Sequence, residues 1–179
     1  MQPSFLLFAI LSVPALDQTI IGTVQKIEMD QLQVKGPDGL VAFRIDDKST
    51  VAKLKRSHDL SLLAVGDEVR VNYYGEGTLT AVNISAKVRV SGTIAERGVN
   101  HLTLLLDLPA DGTSADRKAS VFVFLNSTAK LGTSRSQLAV GRRIHVSGWA
   151  AGDGVVDADN VTFYDAESPL RPAPQHPDR

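Results

Sequence analysis

The chain has no cysteine, which removes disulfides, thiolate metal sites, a cysteine nucleophile and a lipid-modified cysteine anchor together. Aromatic residues make up only 6% of its 179 residues, so a surface built from many stacked rings has little material. Excess charge of one sign is also missing. The 19 Lys and Arg balance 20 Asp and Glu to a net charge of −1, which sets up no long-range field toward nucleic acid or an anionic membrane. The apolar run Phe5 to Leu11 is too short to cross a bilayer as a helix. Neither a Gly-x-Ser-x-Gly elbow nor a P-loop occurs, and His58, His101, His145 and His176 have no metal-ligand spacing. The residues therefore define no catalytic constellation, no metal and no cofactor, and a non-enzymatic chain is expected.

What is present is a repeat. Ile21-Gly22-Thr23-Val24 returns as Ser91-Gly92-Thr93-Ile94, and Val65-Gly66-Asp67-Glu68-Val69-Arg70-Val71 returns as Val140-Gly141-Arg142-Arg143-Ile144-His145-Val146. Gly75 to Ile84 then aligns without a gap on Gly152 to Val161. Two copies of one unit of about 70 residues follow, each near the lower size limit for an independent core. With 43% hydrophobic residues and 22% charged, the bulk of the chain has the composition of a folded protein.

Apolar and polar residues alternate at period two in both units, as in Val69, Val71, Tyr73 and in Leu102, Leu104, Leu106, so strands dominate. Strands are expected at about 20–28, 32–35, 40–45, 68–74 and 78–85, and again at about 87–95, 101–106, 119–124, 143–149 and 155–163. Gly36-Pro37-Asp38-Gly39 and Gly75-Glu76-Gly77 supply the tight turns. Between strands three and four of the first unit, Ser49 or Asp47 could cap a short helix beginning near Thr50. The Ser-Thr after strand three is displaced by 78 residues where the first-strand glycine is displaced by 70. Eight added residues are therefore expected in the loop Asp107 to Lys118. No Pro or Gly-Ser linker separates Ile84 from Val90, so the units should pack closely.

Three strands, a short helix or loop, then two strands is the order of an OB-fold. The whole motif set, Gly-x-Ile/Val, Val-Gly-Asp-x-Val-x-Val and Gly-x-Gly-x-Leu-x-Ala-x-x-Ile, resembles a family of exported bacterial OB-like domains of unknown function, often in tandem. The resemblance spans Ile20 to Tyr164, and Arg142 departs from it where the first unit has Asp67. It implies an all-β fold of two tandem OB-like five-stranded β-barrels and transfers no catalytic residue.

The ends are read separately. Phe5 to Leu11 followed by Ser12-Val13-Pro14-Ala15 has the form of a signal peptide over residues 1–15, although the first four residues carry no Lys or Arg. The competing reading is an apolar strand or helix docked on the domain. Barrel repeats at 19–86 and 87–165 would follow, and 166–179 is a Pro-rich polar tail with the composition of disorder. A cleaved signal places the protein in the periplasm or outside the cell.

The candidate ligand or partner surface comprises Tyr73, Tyr74, Trp149 and Asp153 near the turns after each fourth strand, with Arg117 and Lys118 in the enlarged loop. Trp and Tyr are favoured at interfaces, but the same residues could instead cap a barrel end. Asp153, Asp157 and Asp159 read as an acidic outer strand face rather than a cation site, because no ligand set closes around them. The basic clusters Lys53 to His58 and Arg142 to His145 read as solvated faces. Phe43, Phe122 and Phe124 lie on third strands, where alternation sends many such residues inward. The expected role is a binding module for a protein or another extracytoplasmic ligand, with an oligosaccharide- or nucleic-acid-binding OB protein as the alternative and nucleic acid disfavoured. Aromatic clustering on one open face would favour that alternative, and a contiguous apolar patch or bare strand edge would favour a protein partner.

Overall fold

The computed structural model describes residues 18–106, 119–132 and 135–163. The fold is all-β. The first half holds β1 (Gln18–Ile27), β2 (Gln31–Gly36), β3 (Gly39–Arg44), β4 (Thr50–Lys53), β5 (Lys55–Ser57), a 3-10 turn (Leu60–Leu62) and β6 (Glu68–Tyr74). A 19-residue strand, β7 (Leu79–Arg97), leads into the second half. There β8 (His101–Leu106), β9 (Ser120–Leu131), a 3-10 turn (Arg135–Gln137), β10 (Arg143–Gly152) and β11 (Val155–Phe163) complete the described chain.

The strand ladders form two circuits that share β7. In the first, β1 pairs with β2, β2 with β3, β3 in parallel with the start of β7, β7 with β6, and β6 with β1 again. In the second, the end of β7 pairs with β8, β8 with β9, β9 in parallel with β11, β11 with β10, and β10 with β7. Registers match position for position. Val24 faces Val34 as Ile94 faces Leu104, and both ladders then slip by one residue, at Gln25 and at Ala95. Such a bulge increases strand twist and helps a sheet curl.

Period-two alternation places one core inside each circuit. Val24, Leu32, Val34, Phe43, Val69, Val71 and Ile84 fill the first, and Ile94, Leu102, Leu104, Val123, Ile144, Val146 and Val161 fill the second. Fully burying each such side chain stabilises by about 1.5–3 kcal/mol, so a charge at Leu102 or Leu32 would disrupt its half. The two cores touch. Ala52 and Leu54 from the first half pack into the second cluster, and the amide of Gly154 donates to the Leu54 carbonyl at 2.6 Å.

Gly22 and Gly92 sit where neighbouring strands approach closely. A Cβ on either would collide with a backbone carbonyl across the ladder, that of Lys35 or of Leu105. The repeated Val-Gly serves the backbone as well. Gly66 and Gly141 take positive φ (96° and 85°), and each amide donates to the bulge strand, to Val24 or to Ile94. The next residue returns the bond, since the Asp67 and Arg142 carbonyls accept from the Val24 and Ile94 amides, both at 2.9 Å. The exchange of Asp for Arg therefore leaves the turn intact and changes only what the side chain does. Asp67 takes Lys53 at 2.6 Å and the Ala64 amide at 2.8 Å, whereas Arg142 lies over the Phe163 ring at 4.8 Å.

Four expectations need correction. No helix begins near Thr50: Thr50 and Val51 pair with Asn83 and Ile84 on β7, with β-branched Val51 buried in the first core. Ser49 is no helix cap but fully buried, donating to the Ala81 carbonyl at 2.7 Å and accepting from the Asp46 amide at 2.9 Å. The helical turn starts at Leu60, capped by the Asp59 carboxylate on the Ser61 amide. Next, the expected strands 78–85 and 87–95 are one strand, and the third strand of the second half continues past 124 to Leu131. Last, Lys35 pairs with Leu40 whereas Leu105 pairs with Ser120, so the second loop is longer by ten residues rather than eight. The Ser-Thr match was two residues out of structural register.

Candidate aromatic face on the second half

In β8 and β9 the aliphatic residues Leu102, Leu104, Val121, Val123 and Leu125 take every inward position. The same alternation turns His101, Phe122 and Phe124 outward. Phe43, on the third strand of the first half, has the opposite phase and is fully buried.

The outward rings form a contiguous cluster. The His101 imidazole stacks on Phe122 (centroids 4.7 Å apart, planes 22° apart), and Phe122 meets Phe124 edge to face (5.0 Å, 69°). Gly98 gives the imidazole its space, since any side chain there would collide with it. Phe124 is 47% exposed, a high value for a large apolar side chain in the middle of a paired strand.

Beside Phe124 lies a groove of about 630 Å³ lined also by Asn100, Asn126, Arg135, Ala151 and Asp157. Its polar rim is tied together. The Asn126 amide donates to Asp157 at 2.9 Å, while its carbonyl oxygen accepts from the Thr128 amide and hydroxyl at 2.9 and 2.8 Å. Arg135 donates to the Asn100 side chain at 3.3 Å and to the Asn126 backbone carbonyl at 3.4 Å. Reading across the strands, one row runs His101, Phe124, Asp157, Trp149. Asp157 thus has an aromatic residue on each side, with Phe124 and Trp149 separated by two strand spacings, about 10 Å.

The first half lacks this face. Gln31 faces Arg44 where His101 faces Phe124, and Gln33 faces Ala42 where Thr103 faces Phe122. Gln31, Ala42 and Arg44 therefore stand at the positions of His101, Phe122 and Phe124.

The residues singled out from the sequence fall in several places. Tyr73 is half-buried against Phe43 (5.1 Å, 56°), in the packing of the first half. Tyr74 is 43% exposed, and Asp153 is exposed in the β10–β11 turn at φ 47°. Trp149 is only 8% exposed, flanked by the Arg70 guanidinium at 5.3 Å and the Lys87 ammonium at 5.4 Å from its ring centre. Tyr74 and Trp149 are not brought together: they pair with β7 at Thr80 and Lys87, seven residues apart, roughly 23 Å along the strand. Arg117 and Lys118, the loop that holds them, the segment 1–15 and the tail 166–179 lie outside the described residues. Asp157 and Asp159 have separate partners, Asn126 for the first and Ser147 and Lys87 for the second, and the described residues hold no group of three metal-ligating side chains.

Lys87 marks the junction of the halves. Its ammonium lies 3.1 Å from Glu68 and 3.5 Å from Asp159, and the hydrogen bond to Glu68, with both negative charges, raises its pKa above the usual lysine value. A second, smaller hollow of about 350 Å³ runs along Arg89, Ser91, His145, Ser147, Asn160 and Thr162. There the Ser91 hydroxyl lies 2.5 Å from His145 Nδ1, a consequence of their direct pairing across β7 and β10.

Residues 21–85 match the profile of a family described as a domain of unknown function (DUF5666). That match covers the first half and ends within β7. No curated protein matches the chain. Among solved structures it is similar to one titled "drosophila Unr CSD456", at 13% identity and a TM-score of 0.32 over 87% of this chain. The chain spans 65% of the length of that structure. No helix among the described residues is long and apolar enough to cross a membrane.

Proposed function

We propose that the chain is an exported, non-enzymatic binding module made of two OB-like five-stranded barrels, acting in the periplasm or outside the cell. The second barrel carries the ligand surface, and the first supports it. The observation that carries this reading is the exchange at three equivalent positions, Gln31, Ala42 and Arg44 against His101, Phe122 and Phe124. The rings lie outside the second core, whose buried residues are all aliphatic. Turning this ring cluster outward, with Phe124 exposed and His101 and Phe122 half-buried, on a chain this poor in aromatics calls for a partner that covers it. The second and third strands of an OB-like barrel are also where such folds bind oligomeric ligands.

A clustered aromatic face beside a mainly apolar groove with a polar rim supports a ring-containing ligand over a flat protein partner. The non-enzymatic part of the reading rests on the sequence, in which neither a Gly-x-Ser-x-Gly elbow nor a P-loop occurs, and on the engagement of the Asp157 carboxylate of the face by the Asn126 amide. The test is a triple exchange, His101→Gln/Phe122→Ala/Phe124→Arg, which gives the second half the surface of the first. Immobilised full-length wild type should retain carbohydrate or other ring-bearing material from the cell envelope, and the folded variant should release it. Equal retention by both would refute the reading. Export is tested on its own: sequencing the N-terminus of protein from the cell envelope should begin at Leu16, and an intact Met1 would contradict it.

A further inference from the structure

We infer that the groove beside Phe124 takes an uncharged sugar ring of an oligosaccharide, not a nucleotide; this deepens the binding-module reading and rests on it. Three features of the face select that chemistry. The first is the pairing of an exposed ring with a carboxylate. Phe124 and Asp157 are directly opposed on β9 and β11, so a ring lying flat on Phe124 brings its edge to Asp157. A pyranose has an apolar C–H face that packs on a phenyl ring and a rim of hydroxyls that donate to a carboxylate. A nucleobase in the same place would stack equally well, but its sugar-phosphate would have to run past that carboxylate.

The second feature is charge. The neighbouring row runs Glu96, Thr103, Phe122, Val155, with Thr103 donating to Glu96 at 3.4 Å, and Asp153 stands in the turn before Val155. Among the described residues the face therefore presents Glu96, Asp153 and Asp157 against Arg97 and Arg135, and of the two cations at the Trp149 end of the row, Arg70 lies over the indole and Lys87 is also paired with Glu68 and Asp159. Arg135 is already engaged with Asn100 and the Asn126 carbonyl. Affinity for nucleic acid comes mainly from neutralised phosphates, and this arrangement offers no basic track to neutralise them.

The third feature is the shape and donor set of the groove. At about 630 Å³ it has the volume of a small-ligand site, mainly apolar, with its polar groups gathered at one rim. The amide pair Asn100 and Asn126 supplies both donors and acceptors, which suits hydroxyls that are themselves both. Asn126 is pre-set by its bonds to Asp157 and Thr128, so little ordering remains to be done on binding. The sugar ring in the groove then packs on Phe124, which the Phe122 ring, itself stacked on His101, supports edge to face.

The experiment is calorimetric titration of the full chain with neutral hexasaccharides, one each of the gluco, manno and N-acetylglucosamine series, and in parallel with a twelve-residue oligo(dT). The inference expects saturable binding of at least one hexasaccharide, and no oligo(dT) binding at physiological salt. Phe124→Ala and Asp157→Asn should each weaken the saccharide by about tenfold or more, equal to ~1.4 kcal/mol, while Arg44→Ala leaves it unchanged. Both variants alter partly exposed side chains, and unchanged circular dichroism certifies their fold. Binding of oligo(dT) alone, lost in Phe124→Ala, would overturn the sugar assignment and keep the binding face. Saccharide binding insensitive to Phe124→Ala and Phe122→Ala would overturn both. No binding of any hexasaccharide overturns the sugar assignment, and the envelope-retention test then decides the face separately.

Discussion

Tyr74 and Trp149 occupy the same place in the two halves, Tyr74 opposite Thr80 and Trp149 opposite Asp157, yet Tyr74 is 43% exposed and Trp149 8%. The difference comes from chain order. Only the second half has another half's strand beside its fourth strand, and Arg70 and Lys87 close over the indole. Trp149→Ala should therefore destabilise the whole protein by about 3–5 kcal/mol, and Tyr74→Ala by no more than about 0.5 kcal/mol. Urea unfolding followed by circular dichroism measures both, and similar small losses for the two would show that Trp149 does not hold the halves together.

At Gly92 the added Cβ would meet the Leu105 carbonyl, which belongs to a ladder that cannot give way without breaking its bonds. Gly92→Ala is expected to cost about 1–3 kcal/mol despite alanine's smaller entropy loss on folding. Gly22→Ala should behave alike against Lys35. A stabilised Gly92→Ala protein in thermal unfolding would mean that the strands are farther apart than described.

Ser49 is the buried polar residue that ties the β3–β4 corner to β7 through the Ala81 carbonyl. Ser49→Ala leaves that carbonyl and the Asp46 amide without this partner, a loss of about 1–3 kcal/mol. The hydroxyl of Ser49 is also the main cause of a lowered Asp46 pKa, ahead of the backbone bonds from Lys48 and Ser49. A carboxylate whose folded pKa is depressed contributes stability that is fully present above its unfolded value, 3.8, and disappears as pH falls through the folded value. Below about pH 4 the wild type should lose stability more steeply than Asp46→Asn, with the two slopes alike near pH 7. Parallel slopes across the acid range would contradict this.

Lys87 has the opposite sign. Its pKa is raised, first by the Glu68 hydrogen bond, so its contribution is complete at neutral pH and is lost only as pH climbs above the unfolded lysine value, 10.5. Lys87→Met should remove the alkaline loss of stability and uncouple Glu68 from Asp159. Unfolding midpoints between about pH 9 and 12 test it, and an unchanged alkaline limb in Lys87→Met would assign that limb to other groups.

The sequence repeat made the two halves and most strands readable, because paired strands keep their period-two patterns and their turn glycines. Three strands were matched to the residue: 68–74, 101–106 and 155–163. What escaped depends on contacts between distant segments. Thr50 to Lys53 has the Ser and Asp of a helix start nearby, but pairing with β7 decides its state. Trp149 and Tyr74 look alike along the chain, and only the neighbouring half buries one of them. The aromatic face was partly legible: once Leu102, Leu104, Val121 and Val123 are assigned inward, His101, Phe122 and Phe124 must point out. The convergence of Asn100, Asn126, Arg135 and Asp157 beside them was not, since it joins four separate segments of the chain.

The most direct measurement is an NMR titration of the ¹⁵N-labelled full chain with the tightest-binding neutral hexasaccharide. Amide shifts are expected to concentrate at His101 to Thr103, Phe122 to Asn126 and Asp157, with Gln31 to Gln33 and Ala42 to Arg44 unmoved. Shifts centred on the first half, or spread evenly over both, would contradict a binding face on the second half.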